Sequence, residues 1–232
     1  MPRVRISFSK GAGVRFVSHL DLMKAFERAI RRAAIPIAFS EGFNPHPKMS
    51  FASALAVGVT SDTEYMDMEL RENLEPEAVA RQLAAALPPG IDIKNAWLAP
   101  ENSPPLMATV NRTRYDVRVR LTETVTPEDL PEYINKTLEQ KELVIVKNTK
   151  KGPKPKDIRS GIMHLAGRLA GEDVIFDMLL LTGNEGSIRP EEVIQGLRKA
   201  AGLPVDPDSV RIHRTGLYIA QGGNILKVEQ IC

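Results

Sequence analysis

Hydrophobic and polar positions alternate with a period of two in "RVRISFS", where Val4, Ile6 and Phe8 interleave with Arg3, Arg5 and Ser7. The same rhythm returns in "RYDVRVRLT", where Tyr115, Val117, Val119 and Leu121 alternate with Arg114, Asp116, Arg118 and Arg120. Such alternation marks a sheet strand with one buried face. Behind each strand the apolar spacing lengthens to three and four, the rhythm of a helix. Ser18 with Asp21 opens a helix predicted over 19–34, and Thr126 with Pro127 and Asp129 opens another over 127–140. These residue types satisfy the free N–H groups of a first turn.

A repeat relates the later part of each half. "PEAVARQL" (76–83) and "PEEVIQGL" (190–197) share Pro, Glu, Val and Leu. Proline suits the first helical turn and glutamate complements the helix dipole there. Ahead of each lies a strand-like run, "TEYMDMEL" (63–70) or "DVIFDMLLL" (173–181), and behind each, after a Pro/Gly break, comes "IDIKNAW" (91–97) or "SVRIHR" (209–214). Each half therefore reads β-α-β-β-α-β, which predicts an α+β protein of two tandem ferredoxin-like domains with antiparallel sheets. The joint is expected in the Pro, Ser and Asn-rich segment 99–111, giving domains 1–104 and 105–232. An extra short strand is expected at 35–40. Asp67 and Glu69, on one strand face, are expected to meet solvent.

The first helix carries the first candidate chemistry. Leu20, Met23, Phe26, Ile30 and Ala33 make an apolar stripe, and Lys24, Arg28, Arg31 and Arg32 gather opposite it as a track for phosphates. Arg15 in the preceding loop adds another cation. His19 sits at the first helical position, where the dipole favours a neutral ring able to accept a proton. In "EGFNPHPKMSF" (41–51) the prolines predict an extended, polyproline-like strip from Asn44 to Pro47, with Gly42 at its sharp entry. A preset loop binds a partner at less entropic cost. Asn44, His46 and Lys48 suit phosphate, base edges or carboxylate, and Phe43 and Phe51 offer stacking surfaces. The segment 147–159 is expected to be a solvated, basic, semi-extended arm.

Composition narrows the classes. At 43% hydrophobic and 26% charged residues, the chain can bury real cores. No apolar run is long enough to cross a bilayer, "MPRVRISFSKG" lacks the apolar stretch of a signal peptide, and a cytoplasmic location is expected. The one cysteine, Cys232, excludes an intrachain disulfide, a protein-held iron–sulfur cluster and a Cys/His zinc site. His164 and His213 form no metal-ligand pattern, and "GAG" (11–13) precedes no Walker lysine–threonine pair, so no cofactor or metal is expected. Net charge is only +2, yet residues 1–50 hold nine Lys/Arg against three Asp/Glu while residues 51–110 hold three against nine. Segregation on that scale predicts a basic face rather than a uniformly basic protein.

From "RFVSHLDLMKAFERAIRRA" through "GFNPHPKMSF" to "MDMEL", and more weakly through "KGPKPKDIRSGI" and "GSIRPEEVIQGL", the chain resembles the radical-SAM-linked proteins, a family of unknown function. The resemblance implies a partner, a radical SAM protein with a cobalamin-binding domain, to which any radical chemistry would belong. More distantly, the helix and loop are similar to the RNA-processing proteins of CRISPR systems, which carry tandem ferredoxin-like domains. Of their catalytic pattern only the placement of His19 matches; "AQGGN" (220–224) stands weakly where a glycine-rich loop would be. Three functions fit these residues. The leading one is a non-enzymatic RNA-binding or substrate-presenting module for the radical SAM partner, with Arg15, Lys24, Arg28, Arg31, Arg32, Asn44, His46 and Lys48 in contact with structured RNA or the partner. The second is a protein–protein adaptor using the acidic surface of 62–77 or the second domain. The third is a metal-independent endoribonuclease using His19 or His46.

Overall fold

The computed structural model describes residues 1–149 and 152–231; Cys232, and Lys150 and Lys151 of the basic arm, lie outside the described residues. The chain begins with strand β1 (Arg3–Lys10), helix α1 (His19–Arg32), the short strand β2 (Met49–Phe51), β3 (Thr60–Glu69), α2 (Pro76–Ala86) and β4 (Ile91–Leu98). A single turn, α3 (Leu106–Thr109), leads to β5 (Arg112–Arg120), α4 (Leu130–Leu138), β6 (Val144–Thr149) and β7 (Gly152–Asp157). Then come β8 (Ile162–Ala170), β9 (Asp173–Leu181), α5 (Pro190–Ala201), β10 (Arg211–Gln221) and β11 (Asn224–Lys227). The protein is a mixed α+β chain with mostly antiparallel pairing. Among the described residues no helix is long and apolar enough to cross a membrane.

Two compact units result: residues 1–111 with 214–232, and residues 112–213. In the first, the strand order is β4-β1-β3, with β2 and β10 each paired to β3 and β11 to β10. Register sets the core. Val4 lies opposite Met68, Ile6 opposite Met66 and Phe8 opposite Glu64. The inward side chains of β1 and β3 meet Leu22, Phe26, Ala29 and Ile30 of α1 and Val79 and Leu83 of α2.

The other face of this sheet is covered as well, by Ala52, Leu106, Val110, Leu217, Ile219 and Val228 around Tyr65. β1 is therefore buried on both faces, where its alternation had predicted one. Its second face is polar because its partners are polar: Arg5 Nε donates to Asp67 Oδ1 at 2.8 Å, and both residues are almost fully buried. Asp67 is thus a buried ion-pair partner, not a solvent-facing residue, because a guanidinium on the neighbouring strand compensates its charge. Glu69 is half-buried and pairs with Lys48.

In the second unit β5, β9 and β8 form an antiparallel sheet. Val117, Val119, Val174, Phe176 and Met178 are buried, as are Ile134 of α4 and Val193 and Leu197 of α5. The opposite positions carry charge: Arg114 pairs with Asp177, and Arg118 Nε donates to Asp173 at 2.5 Å.

Two local expectations change. The segment 35–40 forms only single bridges, Ile37 to Leu70 and Phe39 to Pro47, not a strand. The basic arm is a hairpin rather than a loose loop, with β6 paired to β7 from Val144↔Asp157 to Thr149↔Gly152. Pro153 and Pro155 are tolerated there because a two-stranded ribbon is all edge, so a missing N–H can face outwards.

Candidate functional site

α1 starts where the sequence places it. Ser18 is the N-cap: its hydroxyl accepts from the Asp21 N–H at 3.2 Å and bonds the Asp21 carboxylate at 2.7 Å. The helix is turned about its axis relative to expectation. Leu22, Phe26, Ala29 and Ile30 are buried, while Leu20 is 67% exposed. Leu20 thereby joins Lys24, Arg28 and Arg31, at successive steps of four, four and three, on one outward line. All four are exposed. None of these three cations has an ion-pair partner among the described residues. Arg32 leaves the line, since its guanidinium donates to the Ala86 carbonyl and satisfies the C-terminal end of α2. Arg15 lies in the loop ahead of the helix, exposed, with its guanidinium over the Phe16 ring.

The proline loop is tied back onto the chain ahead of it as a hairpin-like arm. Lys48 N–H donates to Ala38 O at 2.8 Å, Ser40 N–H to His46 O at 2.8 Å, and His46 N–H to Ser40 Oγ at 2.9 Å. Only 41–45 form the tip, where Gly42 has φ +115° and Phe43 is wholly exposed. Asn44 and His46 are exposed. Lys48 Nζ is 3.2 Å from Glu69 Oε2, so its charge is shared. No hydrogen bond or ion pair among the described residues joins Asn44, His46 or Lys48 to Lys24, Arg28 or Arg31. Phe51, expected to offer a stacking surface, is buried instead, edge-on to Phe8, Phe26 and His19. Its place on β2, paired to Met66 of β3, turns its ring into the core.

Beneath the α1 N-terminus lies a charged cluster that the sequence pattern did not predict. Lys10, Glu64 and Arg214 are each at most 3% exposed. Arg214 Nη1 donates to both Glu64 oxygens, at 2.8 and 3.0 Å, and Nη2 to Ala54 O at 3.2 Å. Lys10 Nζ donates to Arg15 O at 3.0 Å and Val17 O at 2.9 Å, tying down the loop that enters α1. Burial pushes the Glu64 carboxyl up, while Arg214, Ser61 and Lys10 oppose that shift. Burial likewise lowers Lys10, with Glu64 opposing. His19 packs its ring on Phe51 at a centroid distance of 5.3 Å, and its Nδ1 is buried without a hydrogen-bond partner. Among the described residues no cluster of His, Cys, Asp and Glu could hold a metal ion.

His19 is held below its ordinary value of 6.5 by burial first, then by the charges of Arg214 and Lys10. The unfolded chain therefore binds the His19 proton near 6.5, and the folded chain only at lower pH. Within that window the unfolded state holds more protons, so stability falls as pH falls. Urea midpoints measured from about pH 7.5 down to about pH 5.5 should drop more steeply for the wild type than for His19→Gln. Parallel slopes would remove His19 from the acid response.

No curated protein matches the chain. A chain in the crystal structure of a Cbf5–Nop10–Gar1 complex superposes with a TM-score of 0.50 at 10% identity, over 93% of this chain and 48% of that one. A chain in the structure of an H/ACA RNP bound to a substrate RNA containing 2′-deoxyuridine gives a TM-score of 0.49 at 10% identity, over 100% and 50%. The protein spans about half the length of these solved chains, and the likeness to the first is one of fold alone. The sequence itself is more specific: from Arg3 in β1 to Pro190 at the start of α5, residues 3–190 match the model of a family described as an uncharacterized protein conserved in bacteria (DUF2344), and the chain belongs to that family.

Proposed function

We propose that this chain is a non-enzymatic accessory module that binds structured RNA through the outward face of α1 and presents it to a radical SAM partner in the cytoplasm. The observation that carries the reading is the line of Lys24, Arg28 and Arg31, exposed and without carboxylate partners among the described residues. At 1.5 Å of rise per residue it extends about 10 Å along the helix, enough to meet two or three phosphates. Arg15 lies beyond one end of the line. Lys48, Asn44 and His46 belong to the same compact unit and supply secondary contacts. The radical SAM partner rests on the resemblance carried by "SHLDLM" and "GFNPHPKMSF".

The architecture proposed for this role is a tandem of ferredoxin-like repeats, the first ending near 104 and the second filling 105–232. Two element orders support it. β1-α1-β2-β3-α2-β4 is complete by Leu98, with sheet order β4-β1-β3-β2, and β5-α4-β8-β9-α5-β10 comes after it with β6 and β7 inserted. Such folds leave helices on one face of a sheet, free to offer an exposed side.

Fluorescence anisotropy with a labelled RNA hairpin tests the reading. Affinity should fall with rising salt, with a log–log slope of about −3 for three displaced counterions. The RNA should be recovered intact, and His19→Ala should bind as the wild type does. Binding that ignores salt would sink the proposal. Capture of the partner enzyme without any RNA affinity would replace it with a protein adaptor, and cleavage lost in His19→Ala or His46→Ala would replace it with a nuclease.

A further inference from the structure

The loop that leads into α1 carries a second exposed feature. Phe16, in the loop just ahead, is 69% exposed although its neighbour Val17 packs against the core. The Arg15 guanidinium carbon lies 4.6 Å from the Phe16 ring centroid, and at 69% exposure most of the residue is still open to solvent. Leu20, 67% exposed, stands between this ring and Lys24 in the chain. The backbone beneath is fixed at several points. Lys10 Nζ holds the Arg15 and Val17 carbonyls, and the Gly58 N–H donates to Arg15 O at 2.8 Å. A ring presented on an anchored loop loses little entropy when something stacks on it.

A flat apolar ring backed by a cation, two residues ahead of the N-cap of a helix that carries a row of exposed cations, has the chemistry of a nucleobase contact. We infer that Arg15 and Phe16 form a stacking platform for one unpaired base, so that RNA bound along α1 carries an unpaired nucleotide beside a helical segment. This deepens, and rests on, the RNA-binding reading above. The cations hold the backbone of the helical part, Leu20 meets the sugar at the junction, and the extruded base lies on the open face of Phe16. A base with no Watson–Crick partner is the form that reaches such a platform at least cost, since nothing has to be unpaired first.

Three RNAs that differ at one position test this: a fully paired duplex, the duplex with a single bulged adenosine, and the same bulge made abasic. In anisotropy titrations the wild type should prefer the adenosine bulge over the abasic bulge by about tenfold, the usual scale of one base–aromatic stack. Phe16→Ala should lose that preference while binding the paired duplex as the wild type does. Phe16→Trp should keep the preference, and its added emission should be quenched by the adenosine bulge and not by the abasic one. Circular dichroism melts check that both variants fold. Equal wild-type affinity for the two bulges, or an unchanged preference in Phe16→Ala, would overturn the platform and leave RNA binding standing. Failure of the wild type to bind all three RNAs would overturn both.

Discussion

Arg214→Met is expected to cost the fold about 3–5 kcal/mol, the usual penalty for leaving one buried charge without its partner. Glu64 and Arg214 are 2% and 3% exposed, and the guanidinium binds both carboxylate oxygens. Glu64 follows Met68 and Met66 into the interior and lies across from Phe8, so water cannot replace the lost donor. Lys10 is another cation whose charge acts on Glu64, but its ammonium already bonds the Arg15 and Val17 carbonyls. Swinging it to Glu64 would release the loop ahead of α1.

The double variant Glu64→Leu/Arg214→Met should be more stable than Arg214→Met, because it leaves no uncompensated carboxylate. Urea denaturation of the three proteins measures both differences. If Arg214→Met does not fold, recovery of folding in the double variant carries the same information. A single variant within about 1 kcal/mol of the wild type would mean that the pair is not holding the sheet together.

The second large effect concerns binding. Lys24→Glu/Arg28→Glu/Arg31→Glu should weaken RNA affinity by about 100-fold or more at low salt, since three phosphate contacts become three repulsions. The salt slope should flatten by about three in the same variant. Stability should stay within about 0.5 kcal/mol of the wild type, because the three positions are exposed and make no ion pair among the described residues. Lys48→Glu serves as a contrast. Lys48 already shares its charge with Glu69, so the loss should be only severalfold. Anisotropy titrations across salt concentrations read both effects. A triple variant that binds like the wild type would move the interface off α1.

How much of this could be read in advance differs from residue to residue. The capping pair Ser18 and Asp21, the prolines opening α2 and α5, and the strand "DVIFDMLLL" obey local rules, and the elements appear where those rules put them. The exposure of Lys24, Arg28 and Arg31 is also a local matter, because three charged heads near one another on a helix rarely turn inwards. The rotation of α1 by which Leu20 faces out and Leu22 in is not. Leu20 and Leu22 are equally apolar, and only the sheet below decides which of them is covered.

The buried cluster left a trace in the sequence that single-strand reasoning passes over. Val4, Ile6 and Phe8 set the inward phase of β1, and Lys10 keeps that phase; Met68 and Met66 set it for β3, and Glu64 keeps it. Each residue alone reads as a polar strand end, where a charge can reach water. What makes them interior is the strand that brings Arg214 alongside from 150 residues away. The periodicities, the caps and the excess of cations on one helix could be read from the chain alone, because they depend on neighbours within a few residues. Which charges are paired and dry, as with Arg5–Asp67 and Glu64–Arg214, was settled only when distant strands came together. Burying a charge is tolerable only when a partner from elsewhere in the chain arrives at hydrogen-bonding distance, and no local pattern encodes that arrival.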